Sequence, residues 1–261
     1  MQPWRSAITD ADAEHVWNRG YDVTDLMRHA TYAAVLFLLH QARLPTEGER
    51  RLLDAMLIAC ADHGPSSPSA LAARVVANGN RRGVEAAVAA GVLAIGDAHG
   101  GAGYACMELI AEGIATAAAE SIPHAEAAER IVARFITAGE RLPGLGHRSH
   151  KGADPRATVL FDMARESGVA GAGMDFILVL QAVAGARIRP LPINVDGAFA
   201  AVLHDLGFPP PMAKLLFIVG RVGGLTAQVM EELTRERPMR ARVPVAYDGP
   251  EPRPYPSSKR D

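Results

Sequence analysis

Apolar residues recur at intervals of three and four along most of the chain. Two such runs are Tyr32, Val35, Leu36 and Leu39, and Leu52, Leu53, Met56, Leu57 and Cys60. This spacing is that of one face of an α-helix, and the alternation typical of strands is not sustained. The pattern predicts an all-α protein with helices over residues 31–42, 47–61, 69–77, 84–95, 103–119, 124–139, 156–168, 174–185, 197–206, 210–221 and 224–235.

The connections between the predicted helices are short and rich in glycine, proline and histidine. Four of them lie at residues 62–65, 96–101, 143–148 and 192–197. Each carries a histidine or an acid close to glycine, and glycine lets the backbone approach a ligand closely. Any one loop is a weak indication, because a histidine beside a glycine is more often a cap or a surface residue. Residues 248–261 are proline-rich and charged, which predicts a tail or an extended arm.

Composition narrows the class of protein. Of 261 residues, 49% are hydrophobic, and 27 basic side chains are balanced by 29 acidic ones. This supports a sizeable core in one or two domains and gives no reason to expect a nucleic-acid or membrane partner. Cys60 and Cys106 stand far apart, which fits a reduced compartment, and no apolar leader or uncharged 18-residue run is present. We therefore expect a cytoplasmic protein.

Several kinds of chemistry find little support in the sequence. His147 and His150 could form a metal-binding pair on a helix, but the flanking glycines and Pro155 favour a loop, and no metal site is predicted. The serine-nucleophile motif GxSxG and the phosphate-binding motif GxxxxGK[ST] are both absent from the sequence. Neither cysteine has a local activating partner.

Arg221 stands inside an otherwise apolar run from Leu215 to Met230. A buried guanidinium must be paired or must face a polar cavity. If it converges with Arg148, Arg156 and Arg242, these arginines would form a site for a polycarboxylate, since guanidinium groups bind carboxylates in bidentate fashion. A structural salt bridge explains the same position equally well.

Taken in order, the loop motifs resemble the citrate synthase superfamily over roughly residues 6–250. The motifs are Ala-Asp-His-Gly at 61–64, Gly-Asp-Ala-His-Gly-Gly-Ala at 96–102, Gly-Leu-Gly-His-Arg at 144–148, Asp-Pro-Arg at 154–156, Asn-Val-Asp at 194–196 and Gly-Arg at 220–221. Within it, residues 61–65 and 194–197 and the chain length are similar to citryl-CoA lyase and to the C-terminal module of ATP-citrate lyase. After Arg221 the sequence departs from the synthases, which commonly have Gly-Trp and Ala-His where this chain has Gly224-Leu225 and Ala227-Gln228.

The resemblance implies a fold and an activity. It implies a large helical domain formed by residues 1–102 and 200–261, and a smaller, CoA-binding helical domain formed by residues 103–199, with the active site in the cleft between them. It implies cleavage of citryl-CoA to acetyl-CoA and oxaloacetate by a homodimer or larger homo-oligomer, with a coenzyme A thioester as substrate and no other cofactor. The alternatives are a citrate or methylcitrate synthase and a non-catalytic CoA-sensing or scaffolding subunit.

The resemblance also implies roles for individual residues. The catalytic residues it implies are His99, His147 and Asp196. The residues implied to bind the substrate carboxylates or carbonyl are His63, Arg156, Arg221 and Arg242, with Arg240 as an alternative to Arg242. The residues implied to bind coenzyme A are Leu145, Gly146, Arg148 and Lys151.

Overall fold

The computed structural model describes residues 3–146 and 154–255, and helices dominate them. The helices are α1 (Val23–His29), α2 (Tyr32–Gln41), α3 (Glu47–Cys60), α4 (Pro68–Gly79), α5 (Val84–Leu93), α6 (Ala102–Glu120), α7 (His124–Ala138), α8 (Pro155–Glu166), α9 (Ala172–Arg187), α10 (Val195–Asp205) and α11 (Pro211–Arg235). The predicted all-α class is confirmed. Capping side chains fix several helix starts; Thr46, for example, forms a reciprocal capping box with Glu49 at the start of α3.

A small antiparallel sheet near the N-terminus was not expected from the pattern. Its strands are β1 (Thr9–Ala11), β2 (Val16–Asn18) and β3 (Tyr21–Asp22), in the order β1-β2-β3. Asn18 pairs with Tyr21 across a two-residue turn in which Arg19 and Gly20 both have positive φ, as tight hairpins require. Strands of two or three residues are too short to show alternation, so periodicity could not reveal them. Helix α1 is similarly short.

Helix α11 is one continuous helix, whereas two helices, at 210–221 and 224–235, were expected. Gly223 and Gly224 suggested a break, but both are helical. A Cβ at Gly224 would collide with the carbonyl oxygen of Ala61. Gly224 therefore serves a close approach between α11 and the end of α3, and packing offsets the low helix propensity of glycine.

Helix α11 takes part in both clusters of the core. A large cluster of buried apolar side chains joins α2, α3 and α6–α11, and a smaller cluster, containing Ala73, Ala87 and Leu225, joins α4 and α5 to α11. Helix α11 is also long and apolar enough to cross a membrane, but half of its most apolar stretch is buried inside the protein, as in a core helix. The division into two domains at residues 102 and 199 stays a prediction.

Candidate active site

His99 lies in the tight loop between α5 and α6. The loop is closed by two backbone hydrogen bonds between Gly96 and His99, of 2.9 and 3.0 Å. Gly100 follows with a φ of +80°, and a Cβ at this position would lie 2.6 Å from the ring of Phe217. The glycine therefore permits both the turn and the close packing of Phe217, whose ring meets the His99 ring edge-on at 6.0 Å between centroids.

Arg221 and His99 meet at the hydroxyl of Ser69. Nη1 of Arg221 donates to Ser69 Oγ at 3.1 Å, and Nε2 of His99 lies 2.9 Å from the same oxygen. Nε of Arg221 donates to the carbonyl oxygen of Cys60 at 2.8 Å, and its guanidinium stacks over Phe217. The partners of Arg221 among the described residues are thus neutral, so its charge is held in place without a structural carboxylate. This arrangement disfavours the structural salt bridge as the explanation for the buried guanidinium.

Asp196 lies in the first turn of α10, and the start of this helix is held by two side chains. Asn194 caps it by accepting from the amide of Gly197 at 3.0 Å, and its Nδ2 donates to the carbonyl oxygen of Gly146 at 2.8 Å. Asp154, which is buried, accepts from the amide of Val195 at 3.1 Å. The same carboxylate binds Arg156 through Nε at 3.1 Å and Nη2 at 3.0 Å. Asp154 therefore places Arg156 near Asp196.

Two glycines allow the loop before residue 147 to pack against the start of α10. A Cβ at Gly197 would collide with the carbonyl oxygen of Gly144, and a Cβ at Gly144 would collide with Sγ of Cys106. Gly144 also has a φ of +79°, and its carbonyl oxygen accepts from the amide of Asn194 at 3.1 Å. The loop that carries Leu145 and the helix that carries Asp196 are thereby in backbone contact.

These elements line one cleft of about 1070 Å³. Five of the predicted site residues line it, and they are His63, His99, Leu145, Gly146 and Asp196. Lys214 in the first turn of α11 lines it as well, with Nζ 3.8 Å from Asp97. Imidazole and carboxyl groups, among them those of His99 and Asp196, line its walls.

The surroundings shift the pKa values of His99 and Asp196. Burial, followed by the charges of Arg221 and His63, lowers the pKa of His99, which keeps its imidazole neutral near pH 7. Burial raises the pKa of Asp196, assisted by Asp154 and opposed by the charges of Arg156 and Arg221. A neutral imidazole that can donate a hydrogen bond and a carboxyl group with a raised pKa are suited to general acid–base catalysis.

The remaining predicted residues that the structure describes do not line the cleft. Arg156 and Arg221 stand beside Asp196 without lining the cleft, and their charges act on its pKa. Arg242 is exposed in the extended segment after α11, and Arg240 is bound to Glu232, with Nε 3.0 Å from Oε1. Neither of these two arginines is among the residues that line the cleft. His147, Arg148 and Lys151 lie outside the described residues.

Three positioning residues were not predicted as part of the site: Ser69, Asp154 and Asn194. Each of them stands where the sequence indicates the start of a helix. Asp154 precedes a proline and Asn194 precedes an apolar run, which are typical of helix N-caps. Ser69 also precedes an apolar run, but α4 begins at Pro68 with Ser67 as its N-cap, and only the fold brings Ser69 beside His99 and Arg221.

The arrangement can be compared with known proteins. The family description "Citrate synthase, C-terminal domain" matches residues 45–242. The chain belongs to the citrate synthase family. Among curated relatives, it is 29% identical to a citrate synthase of Heyndrickxia coagulans over 240 residues, which are 89% of this chain and 60% of that protein. It is also 29% identical to a citrate/2-methylcitrate synthase of Bacillus subtilis, over 84% of this chain and 57% of that protein. The chain thus spans less than two thirds of these relatives.

Solved structures of the same fold include a lyase of equal extent. The citryl-CoA lyase from Hydrogenobacter thermophilus is 38% identical, and 98% of each chain superposes with a TM-score of 0.89. An ATP citrate lyase from Methanothrix soehngenii shares the fold at 22% identity with a TM-score of 0.79, over 96% of this chain and 42% of that one.

Proposed function

We propose that this member of the citrate synthase family cleaves citryl-CoA to acetyl-CoA and oxaloacetate. The observation that carries the proposal is the likeness to citryl-CoA lyase, which extends over 98% of both chains at 38% identity. The two synthases compared above are less similar, at 29% identity.

The proposed chemistry breaks the bond between the carbon that bears the hydroxyl group and the carbon next to the thioester. His147 takes the hydroxyl proton, the C–OH becomes the ketone of oxaloacetate, and the electron pair of the broken bond moves to the thioester as an enolate. Asp196 then delivers a proton to that carbon and gives acetyl-CoA. The raised pKa of Asp196 supports this role, because a carboxyl group that holds its proton more tightly than usual is better suited to deliver one.

His99 is proposed to stabilise the enolate oxygen by donating a hydrogen bond. Because Arg221 donates to Ser69 Oγ, the serine hydroxyl can direct its own proton to Nε2 of His99. The proton of the neutral ring would then be on Nδ1, and Nδ1 could donate it to the thioester. Ser69 would thus set the tautomer of His99.

The substrate carboxylates are proposed to bind His63, Arg156 and Arg221. The charge of Arg221 supports this, since its partners are a hydroxyl and a carbonyl oxygen and its guanidinium can still attract an anion. Arg242 would add a carboxylate contact only from another copy of the chain, since it is exposed outside the cleft. This is consistent with the proposed homodimer or larger homo-oligomer.

Coenzyme A is proposed to run along the loop that contains Leu145 and Gly146, with Arg148 and Lys151 near its phosphates. Residues 142–146 of this loop line the cleft. The proposed reaction uses no metal ion and no cofactor other than this thioester. We propose a cytoplasmic location, consistent with two free buried cysteines.

A citrate or methylcitrate synthase is the second candidate, and the curated relatives favour it. The same residues would act in reverse, and hydrolysis of the thioester would follow. A non-catalytic CoA-sensing or scaffolding subunit is the third candidate. The presence of His99, Ser69, Arg221 and Asp196 together at one site favours an enzyme instead.

One pair of assays distinguishes the candidates. The purified chain is incubated with citryl-CoA while oxaloacetate is measured, and separately with oxaloacetate and acetyl-CoA or propionyl-CoA while free CoA is measured. We expect rapid release of oxaloacetate and little free CoA. Fast production of free CoA would favour the synthase, and inactivity in both assays would favour the non-catalytic subunit.

A further inference from the structure

One face of α11 contacts residues 60–62, the segment just before His63. The contacts come from three successive turns of the helix. Arg221 donates to the carbonyl oxygen of Cys60, Gly224 allows contact with Ala61, and Gln228 donates to the carboxylate of Asp62. The three helix positions are three and four residues apart and therefore face the same way. The next residue of the held segment is His63, which lines the cleft.

Gln228 is itself oriented by a buried ion pair. Its Oε1 accepts from Nη1 of Arg74 at 2.8 Å, so its Nε2 must face the other way, where it lies 3.2 Å from both oxygens of Asp62. Nε of Arg74 binds Glu232 at 3.0 Å, and the Glu232 side chain is 1% exposed. Arg74 therefore cannot turn away without leaving a buried carboxylate partly unpaired.

Asp62 passes this constraint to the loop. One of its carboxylate oxygens accepts from the amide of Gly64 at 2.9 Å, closing a turn around His63. The carbonyl oxygen of Gly64 in turn accepts from the amide and the hydroxyl of Ser67, two residues before Ser69. A displaced Asp62 would loosen the turn at His63.

We propose that Gln228 is a positioning residue that connects the buried Arg74–Glu232 pair to Asp62 and thereby fixes His63 in the cleft. The inference rests on the proposed function for the kinetic effect, though not for the effect on the loop. It goes beyond the site residues named above, because Gln228 is not among the residues that line the cleft.

Gln228→Glu is the sharpest test. The substitution keeps an acceptor for Arg74 but places a carboxylate against the carboxylate of Asp62. We expect hydrogen exchange at the Gly64 and Ser67 amides to rise about tenfold and kcat/KM for citryl-CoA to fall about tenfold to a hundredfold. The double variant Gln228→Glu/Asp62→Asn should restore both, because an asparagine at position 62 can donate to the new carboxylate at position 228 and still accept from Gly64.

Asp205→Asn is the matched control, since Asp205 is also a buried carboxylate, one that accepts three amides at the start of α9. It should lower the melting temperature and leave exchange at Gly64 unchanged. The proposal is overturned if Gln228→Glu exchanges like the parent at Gly64, or if the double variant fails to restore protection. If the parent processes neither citryl-CoA nor acetyl-CoA with oxaloacetate, the proposed function is wrong. Hydrogen exchange at the Gly64 amide then tests the positioning role of Gln228 independently of activity.

Discussion

The hydroxyl of Ser69 lies 2.9 Å from Nε2 of His99 and is buried completely. Since Arg221 donates to the same oxygen, one small side chain connects the imidazole in the cleft to the buried guanidinium behind it. A change at Ser69 should therefore alter the chemistry at His99 without altering the cleft wall.

We expect Ser69→Ala to lower kcat for citryl-CoA cleavage about tenfold to a hundredfold, because His99 loses the partner that sets its tautomer. The KM should change little. Steady-state kinetics would measure both, with Ser167→Ala as the control, since the Ser167 hydroxyl donates to the carbonyl oxygen of Met163 at the end of α8. An unchanged kcat in Ser69→Ala would contradict the prediction.

Asp196→Asn should abolish activity and raise stability. Burial raises the folded-state pKa of Asp196 above 3.8, so its ionisation costs stability as the pH rises from 3.8 through that folded-state value. Removal of the charge should raise the melting temperature at pH 7 by a few degrees, since about 1 kcal/mol corresponds to about 2–4 °C in a chain of this size.

The same substitution makes a prediction about pH. The difference in melting temperature between Asp196→Asn and the parent should shrink as the pH falls from the folded-state pKa to 3.8 and disappear below it, because the aspartate is then protonated in both the folded and the unfolded state. Calorimetry at a series of pH values would measure this. A variant less stable than the parent at pH 7 would show that the attraction of Arg156 and Arg221 outweighs burial.

Gly223 and Gly224 provide a matched pair. A Cβ at Gly223 would meet nothing within 4 Å, so Gly223→Ala should stabilise α11 by about 1 kcal/mol through helix propensity. Gly224→Ala should destabilise the protein by about 1–3 kcal/mol or more, because the methyl group meets the backbone of Ala61. Chemical denaturation would measure both. Equal effects would mean that α11 and α3 can separate at little cost.

Glu232→Gln should destabilise the protein by about 3–5 kcal/mol at pH 7, because Arg74 and Arg240 would lose a buried anionic partner. Burial alone would raise the pKa of Glu232, but hydrogen bonds from Arg240 and Asn78 and the charges of both arginines outweigh it and lower the pKa. The stabilisation is therefore present above the ordinary value of 4.5 and is lost as the pH falls through the lower, folded-state value. Denaturation curves for the variant and the parent, measured at a series of pH values from 7 downward, should converge as the pH falls below 4.5.

The sequence predicted the helices well where their apolar faces are long. Helix α3, for example, was predicted at 47–61 and runs from Glu47 to Cys60. The short sheet around Arg19 and the continuity of α11 through Gly224 could not be predicted, because a two-residue strand shows no period and because the reason for Gly224 lies in another helix.

Some residues of the candidate site could be predicted from the sequence and others could not. His63, His99 and Asp196 could be found because each stands in a short motif, and the fold brings them to one cleft. Ser69 and Gln228 could not, since each acts through a residue that is distant in sequence. The roles assigned to the site residues stay predictions until the substitutions above are made.

Helix α11 extends for about 37 Å. Five positions along one stripe of it contact the site or the residues that hold the site in place, and they are Phe217, Arg221, Gly224, Gln228 and Glu232. Insertion or deletion of one residue within this stripe would rotate every later position by about 100°. His99 and His63 would then be supported by different faces of the helix. The spacing along α11 is consequently more constrained than the identity of its outward-facing residues, and homologues that keep this site should align here without a gap.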